Sequence, residues 1–422
     1  MNITLHKSKI VNRKSEIKIT GSKSESNRLL LLQALFPEFD LKNVSNSDDS
    51  KLMAKALASN DELVDIYHAG TAMRFLTAYF SVQEGRETML TGSKRMKERP
   101  IKILVDALRE LGAEISYVEN NGFPPIRLKG KKLTKNKVSL KANVSSQYIS
   151  ALLLIASKLE NGIELTLEGD ITSVPYINMT LSLLNEIGIK TSFENNVITV
   201  YPSNEKLKPK TLTVESDWSS ASYYFSIAAI SEVGTEITLS SYKENSLQGD
   251  SCLVDIYKHF GVTSTFKQNS ITLKKEASEL KPLTLDLKNA PDIAQTIAVT
   301  CFALGIPCDL TGLHTLKIKE TDRLVALKTE IEKFGGKVDI TDKSLHLKSN
   351  TLFESDSRKS SPPIEGLGEA VSVATYHDHR MAMAFAPLAL KTSMVVEDAM
   401  VVSKSYPTFW EDLKSIGFKI TS

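Results

Sequence analysis

The sequence predicts a mixed α/β protein built from a repeated helix–strand unit and divided into two domains. Three observations carry that prediction. An amphipathic helix, a glycine, a strand of alternating residues, a polar turn and usually a second strand recur about Gly112, Gly188, Gly261, Gly335 and Gly417. The spacings of these glycines are 76, 73, 74 and 82 residues, too long for a solenoid and suited to duplicated subdomains. The chain has 422 residues, more than one hydrophobic core normally serves.

The elements follow in order. The opening stretch NITLHKSKI alternates as a strand, and the apolar run GSKSESNRLLLLQAL begins a helix at Gly21. Residues 51–66 read as a shortened copy, with helix KLMAKALASND and strand ELVDIY. Asp48 and Asp49 are expected to cap that helix. In the first full repeat Ile101, Leu104, Val105, Leu108 and Leu111 form one apolar helical face. Gly112 then offers the left-handed cap that ends a helix cheaply, and Ile115 and Tyr117 alternate with polar residues as in a half-buried strand. Asn195-Asn196 and Asn269-Ser270 are placed for hairpin turns. Residues 354–363, DSRKSSPP included, read as an exposed loop. The last copy stops after one strand, FKITS, whose missing neighbour the N-terminal strand can supply. Both termini then share one discontinuous domain, 1–21 plus 216–422, and 22–215 form an inserted domain.

Composition narrows the function. Hydrophobic residues make up 41% and charged residues 24%, with a net charge of +2, so neither nucleic acid nor an acidic tail is indicated. The three cysteines, Cys252, Cys301 and Cys308, form no CxxC pair, which fits a reducing compartment. The first residues lack an apolar signal core, and runs such as ISALLLIA are far short of a membrane span. A cytoplasmic protein without membrane partners is expected.

What the repeats do not share is the candidate for chemistry. Nine segments place Gly, Ser or Thr at the start of an apolar helix, most of them beside Arg or Lys. They include GSKSESNR, HAGTAMRFL, SKRMKERP, SSQYIS, KETDRL, DHRMAM and SKSYP. A helix N-terminus carries free N–H groups and a positive dipole end. Hydroxyls and arginine forks add donors for phosphate or carboxylate. Any one segment fits an ordinary helix cap. Nine of them in one chain point to a ligand with several negative charges, surrounded by Lys23, Arg28, Arg74, Arg99, Arg323, Arg380 and Lys404. Asp292 and Glu320 stand apart as acids near helix starts. Each is either a cap or a proton-transfer group. His377 and His379 lack a third ligand segment, so no metal is expected.

Ten motifs in order, from GSKSxSNR through AGTAMRFL, RMKERP, SSQ, SxPYI, SSAS, PDxAxT, KETDRL and DHRMAM to SKSYP, resemble the 5-enolpyruvylshikimate-3-phosphate synthase family of enolpyruvyl transferases. The resemblance runs nearly end to end. It implies two similar domains, each of three βαβαββ-type subdomains (the inverse α/β barrel of the enolpyruvyl transferase fold), with an interdomain active-site cleft. It implies transfer of the enolpyruvyl group of phosphoenolpyruvate to the 5-hydroxyl of shikimate 3-phosphate, by addition and elimination, in a monomer without a cofactor.

By motif, Lys23, Ser24, Arg28, Ser145, Ser146, Gln147, Ser173, Asp292, Thr315 and Lys319 resemble the shikimate 3-phosphate contacts. Lys23, Gly70, Thr71, Arg74, Arg99, Gln147, Arg323, Arg380 and Lys404 resemble those to phosphoenolpyruvate. Asp292 resembles the base for the 5-hydroxyl, and Glu320, helped by Lys404, the acid that protonates the methylene carbon; Lys23, reaching phosphoenolpyruvate, is the fourth catalytic residue that the resemblance implies. The chain departs from the family at His68 and Thr315, where Asn is usual, at Phe75, where Pro is common, and at Val174. A related UDP-N-acetylglucosamine enolpyruvyl transferase is the nearest alternative, but residues 91–127 lack its loop cysteine. A non-catalytic anion-binding scaffold would have no use for Asp292 and Glu320.

Overall fold

The computed structural model describes residues 1–10, 14–141, 145–169, 171, 174–203, 207–353 and 370–422. Ser173 and the loop expected at 354–363 lie outside these residues. Two compact units are present: Met1–Ile19 with Ser216–Ser422, and Thr20–Glu215.

One pattern generates both. Strand Leu283–Asp286 is followed by helix Ala294–Ala303, strand Cys308–Thr311, helix Arg323–Lys333 and the hairpin Val338–Ile340 and Leu345–Leu347. The first two strands pair in parallel and the hairpin adds antiparallel beside the second. Strands Leu63–Asp65, Glu87–Thr91, Glu114–Tyr117 and Ile126–Lys129 repeat the arrangement, as do Lys137–Lys141, Ile163–Glu168, Thr191–Glu194 and Val197–Val200. Strand Lys14–Ile17 pairs with Glu236–Ser240 to open a further copy. Strand Ile3–His6 lies between Met394–Val396 and the final strand Lys419–Thr421, antiparallel to both. The shortened copy expected at 51–66 is divided: its helix Asp48–Ala58 goes with helix Lys23–Leu35 and, among the described residues, the single parallel pair Phe39–Lys42 and Lys210–Thr213, whereas its strand Leu63–Asp65 pairs with Glu87–Thr91 and opens the next copy.

The five repeated glycines all have positive φ, from 73° to 113°. Each ends a helix at the point where an L side chain would be strained. Asn195 and Asn196 turn their hairpin with φ of 49° and 63°, as the sequence suggests. The later hairpin turns one residue earlier than expected, at Gln268 and Asn269, with φ of 49° and 59°, and Ser270 pairs opposite Lys267. The reason is register: Ile271 and Leu273 must face the core, which puts Ser270 in the ladder.

Helices occupy the interior and sheets the outside. Strands alternate buried and exposed residues, as in Lys137–Lys141. Every residue of helix Ala294–Ala303 is buried, and all but Thr71 of helix Gly70–Ser81. The second helix of each copy is amphipathic, as in Lys102–Glu110, and covers the first. This layering leaves the helix N-termini as the places where polar side chains gather within each unit.

Candidate functional site

In the unit Thr20–Glu215 the cations of the candidate site meet few anions among the described residues, unlike the exposed lysines and arginines around them. Lys23 is the first residue of its helix, capped by Ser22, and its Nζ lies 3.5 Å from Asp49. Ser47, not Asp48 or Asp49, caps the helix Asp48–Ala58 by accepting from the Ser50 N–H. Its shorter side chain reaches that N–H, and Asp49 turns to Lys23 instead. Ser24 is half-buried, and its carbonyl accepts from Arg28 Nη1 at 2.7 Å.

Arg28 is buried and also donates to the hydroxyls of Thr180 and Ser150, at 2.8 and 2.9 Å, and to the Tyr176 carbonyl at 3.4 Å. Its guanidinium lies 5.4 Å from the Phe75 ring centre, so the phenylalanine that departs from the family pattern gives this cation a π face.

Gly70 starts the helix Gly70–Ser81 directly beneath Arg99. Thr71 accepts from Gln147 Nε2 at 3.1 Å. Ser145 caps the helix Ser146–Ala156 by accepting from the Gln147 N–H. Arg74 is buried and donates to the carbonyls of Gly70 and Pro100 at 3.1 and 3.2 Å. His68 is exposed, with Nδ1 3.3 Å from Ser93 Oγ. Burial pushes Arg28 down to about 10, and burial followed by the neighbouring Arg99 does the same to Arg74. Both remain charged near neutrality. Among the described residues neither Arg28, Arg74 nor Arg99 has an ion-pair partner. An anionic ligand would supply what burial has removed.

The unit Met1–Ile19 with Ser216–Ser422 has the opposite character: its cations are woven into carboxylates. Arg323 begins a helix capped by Asp322. Its side chain is 2% exposed and donates to Asp378 at 2.6 and 3.4 Å, Asp292 at 2.9 Å and Glu320 at 2.8 Å. Four of its five N–H donors are therefore engaged. Asp292 also takes Lys319 at 3.4 Å and Arg380 at 3.3 Å. It caps no helix; it sits in the short helix Pro291–Ile293 with its side chain 14% exposed. Glu320 is 28% exposed, anchored at one oxygen by Arg323. Lys404 donates to the His377 carbonyl at 2.7 Å, and His377 in turn pairs with Asp398 at 2.9 Å. Thr315 Oγ1 is buried without a hydrogen-bond partner among the described residues.

The electrostatics follow from this weave. Burial alone would lower the Arg323 and Arg380 values. Asp378, Glu320 and Asp292 raise the first above its ordinary range, and Asp292, Tyr223 and Asp250 raise the second. Three cations, Lys319, Arg323 and Arg380, converge on the Asp292 carboxylate. The sequence reading missed four members. Asp49 reads in sequence as a helix cap but pairs with Lys23. Asp378 lies in the DHRMAM motif beside the more conspicuous Arg380, and only its bond to Arg323 shows its part. Ser219 lies in the SSAS motif and Asp250 in none of the motifs; what marks both is spatial, since Ser219 bonds to Arg380 and to Asp250.

Comparison with known proteins bears on this arrangement. Residues 57–413 match the family described as EPSP synthase (3-phosphoshikimate 1-carboxyvinyltransferase). The 3-phosphoshikimate 1-carboxyvinyltransferase of Bacteroides fragilis (strain YCH46) is 47% identical over 410 residues, covering 96% of each chain. That of Histophilus somni (strain 2336) is 34% identical, covering 95% of this chain and 96% of its own. In fold, the chain is similar to EPSP synthase from Acinetobacter baumannii, with a TM-score of 0.78 at 20% identity over the whole of both chains. It also resembles the enolpyruvyl transferase NikO from Streptomyces tendae, with a TM-score of 0.72 at 14% identity, covering all of this chain and 98% of that one.

Proposed function

Since the chain belongs to the EPSP synthase family, we propose that it transfers the carboxyvinyl group of phosphoenolpyruvate to the 5-hydroxyl of shikimate 3-phosphate, releasing phosphate. This places it in the making of aromatic amino-acid precursors. The observation that carries the reading is that the two units hold opposite electrostatic environments. Buried arginines without ion pairs among the described residues occupy one unit, and two acids held by Arg323 occupy the other.

Roles divide accordingly. Lys23, Ser24, Arg28, Ser145, Ser146, Gln147, Ser173, Thr315 and Lys319 bind shikimate 3-phosphate. Lys23, Gly70, Thr71, Arg74, Arg99, Gln147, Arg323, Arg380 and Lys404 bind phosphoenolpyruvate. Asp292 takes the proton of the 5-hydroxyl as its oxygen bonds to the substituted alkene carbon. Glu320, assisted by Lys404, gives a proton to the methylene carbon. The tetrahedral adduct then loses phosphate together with a methyl proton, which restores the alkene.

An unliganded Asp292 among three cations is a weak base. Substrate phosphates and carboxylates that draw on Lys319, Arg323 and Arg380 raise its proton affinity when both are bound. The ligands thereby switch on the base, and the same cations stabilise the adduct's charge. The enzyme is read as a cytoplasmic monomer without cofactor; in the described residues no helix is long and apolar enough to cross a membrane.

The direct test mixes the protein with phosphoenolpyruvate and either shikimate 3-phosphate or UDP-N-acetylglucosamine and follows phosphate release. Release with the first acceptor alone is expected. Release with the second alone, or with neither by folded protein, refutes the assignment.

A further inference from the structure

Behind Arg380 lies a carboxylate that the reaction as described does not use. Asp250 belongs to the short helix Gly249–Cys252 and is buried. One carboxylate oxygen accepts a very short hydrogen bond from Ser219 Oγ, and the other, Oδ1, is buried without a partner among the described residues. Ser219, in the first turn of helix Trp218–Ile230, also accepts from Arg380 Nη2 at 3.2 Å. The same Nη2 donates to Asp292 at 3.3 Å, and Nη1 donates to the Asp292 carbonyl at 3.3 Å.

The chain of bonds has a polarity. Arginine only donates, and an ionised carboxylate only accepts. With Asp250 ionised, the Ser219 O–H must point at Asp250, which leaves serine lone pairs for Arg380. With Asp250 protonated, the acid itself can donate to Ser219. The serine proton is then released and competes for the side that Arg380 occupies.

Asp250 is not needed to hold its own segment. Gln248 does that, donating to the Ser216 carbonyl at 2.9 Å and accepting from the Trp218 N–H at 3.0 Å. A buried carboxylate oxygen without a donor costs stability, so the group brings no evident folding return. The charged groups facing it are Asp217, the N-cap of helix Trp218–Ile230, Asp292 from the short helix Pro291–Ile293, and Arg380 from helix His379–Phe385, with the Cys252 thiol beside it on its own segment. Burial, then Asp292, raises Asp250 to about 6 against the opposing pull of Arg380 and Ser219. The Cys252 thiol is pushed up to about 12 by burial and by Asp250, so it stays neutral.

Taking Arg380 as a phosphoenolpyruvate ligand, as the reading above does, we propose that Asp250 is a positioning residue which, through Ser219, orients the Arg380 guanidinium for that substrate. Asp250 touches neither substrate. Its ionisation sets the direction of the Arg380–Ser219 bond and so couples phosphoenolpyruvate recognition to pH.

The test compares wild type, Asp250→Asn, Ser219→Ala and the double variant in phosphate release, with shikimate 3-phosphate saturating and phosphoenolpyruvate varied across pH. Substrate titration is common to all four proteins and cancels in their ratios. The wild-type to Asp250→Asn ratio of kcat/KM for phosphoenolpyruvate should be near unity below about pH 5 and rise to about tenfold above about pH 7, the scale of one charge-assisted hydrogen bond. The loss should lie in KM for phosphoenolpyruvate, with kcat and the KM for shikimate 3-phosphate unchanged. Ser219→Ala should reproduce it even if Asp250→Asn folds poorly, and the double variant should be no worse than either single one. A ratio independent of pH, additive losses, or tighter phosphoenolpyruvate binding in Asp250→Asn overturns the inference while leaving the functional reading intact. Wild type that releases no phosphate overturns both.

Discussion

Gly70→Ala offers a measured displacement of a single cation. A methyl carbon at Gly70 would lie 2.5 Å from Arg99 Nη1, 3.0 Å from its Cζ and 3.1 Å from its Nη2. Carbon and nitrogen pack comfortably at about 3.5–4.0 Å, so the guanidinium must retreat by roughly 1 Å. Arg99 is partly exposed and the contact is with the far end of its flexible side chain, so the fold absorbs the change. Gly70 has an ordinary helical φ, and replacing glycine at such a site is neutral or stabilising by about 0.4–1 kcal/mol. Function should suffer where stability does not. Misplacing a binding group by about 1 Å costs up to about 100-fold. KM for phosphoenolpyruvate should therefore rise about 10- to 100-fold, with KM for shikimate 3-phosphate nearly unchanged and the melting temperature equal or higher. Steady-state phosphate release with each substrate varied in turn, alongside thermal unfolding, measures both. An unaltered KM for phosphoenolpyruvate would refute the placement of Arg99 against that ligand.

Three further substitutions probe the other unit and the scaffold. Asp292→Asn should bind shikimate 3-phosphate by calorimetry yet turn over at least about 100-fold more slowly, as expected for loss of a general base; unchanged turnover removes Asp292 from proton transfer. Asp378→Ala leaves the buried Arg323 without its 2.6 Å partner. Breaking such a pair costs about 3–5 kcal/mol, and a urea unfolding shift below about 1 kcal/mol would contradict the geometry. Gly261→Ala should destabilise more than Gly112→Ala. Both positions have positive φ, of 73° and 107°, at a strain of about 1–2 kcal/mol. A methyl at Gly261 would also meet Ser278 Oγ at 2.5 Å and the Glu276 carbonyl at 2.7 Å, whereas Gly112 has open space. Equal losses would mean that backbone strain alone decides.

The two electrostatic environments suit different tasks. Arginines buried among hydroxyls and carbonyls hold a positive charge in waiting, and anion binding relieves the cost of their burial. Arginines bound to carboxylates are already neutralised. Their value is to fix acids in position and to change the basicity of those acids when a competing anion arrives.

The sequence by itself determined the repeating helix–glycine–strand unit, because apolar periodicity and the left-handed glycine cap are local properties of consecutive residues. It also determined which segments carry the cations and the acids Asp292 and Glu320, since motif order is written along the chain. It did not distinguish helices buried on every side from their amphipathic neighbours, because only packing shows what covers a uniformly apolar helix. Only the tertiary structure decided which charges meet. Asp49 turns from a capping position to Lys23, and Phe75 packs against Arg28. Asp292, Glu320 and Asp378 converge on Arg323, and Asp250 reaches Arg380 through a serine 31 positions away. The physical reason is that Coulomb and hydrogen-bond energies depend on separation in space over a few ångströms, a quantity that the spacing of residues along the chain does not contain.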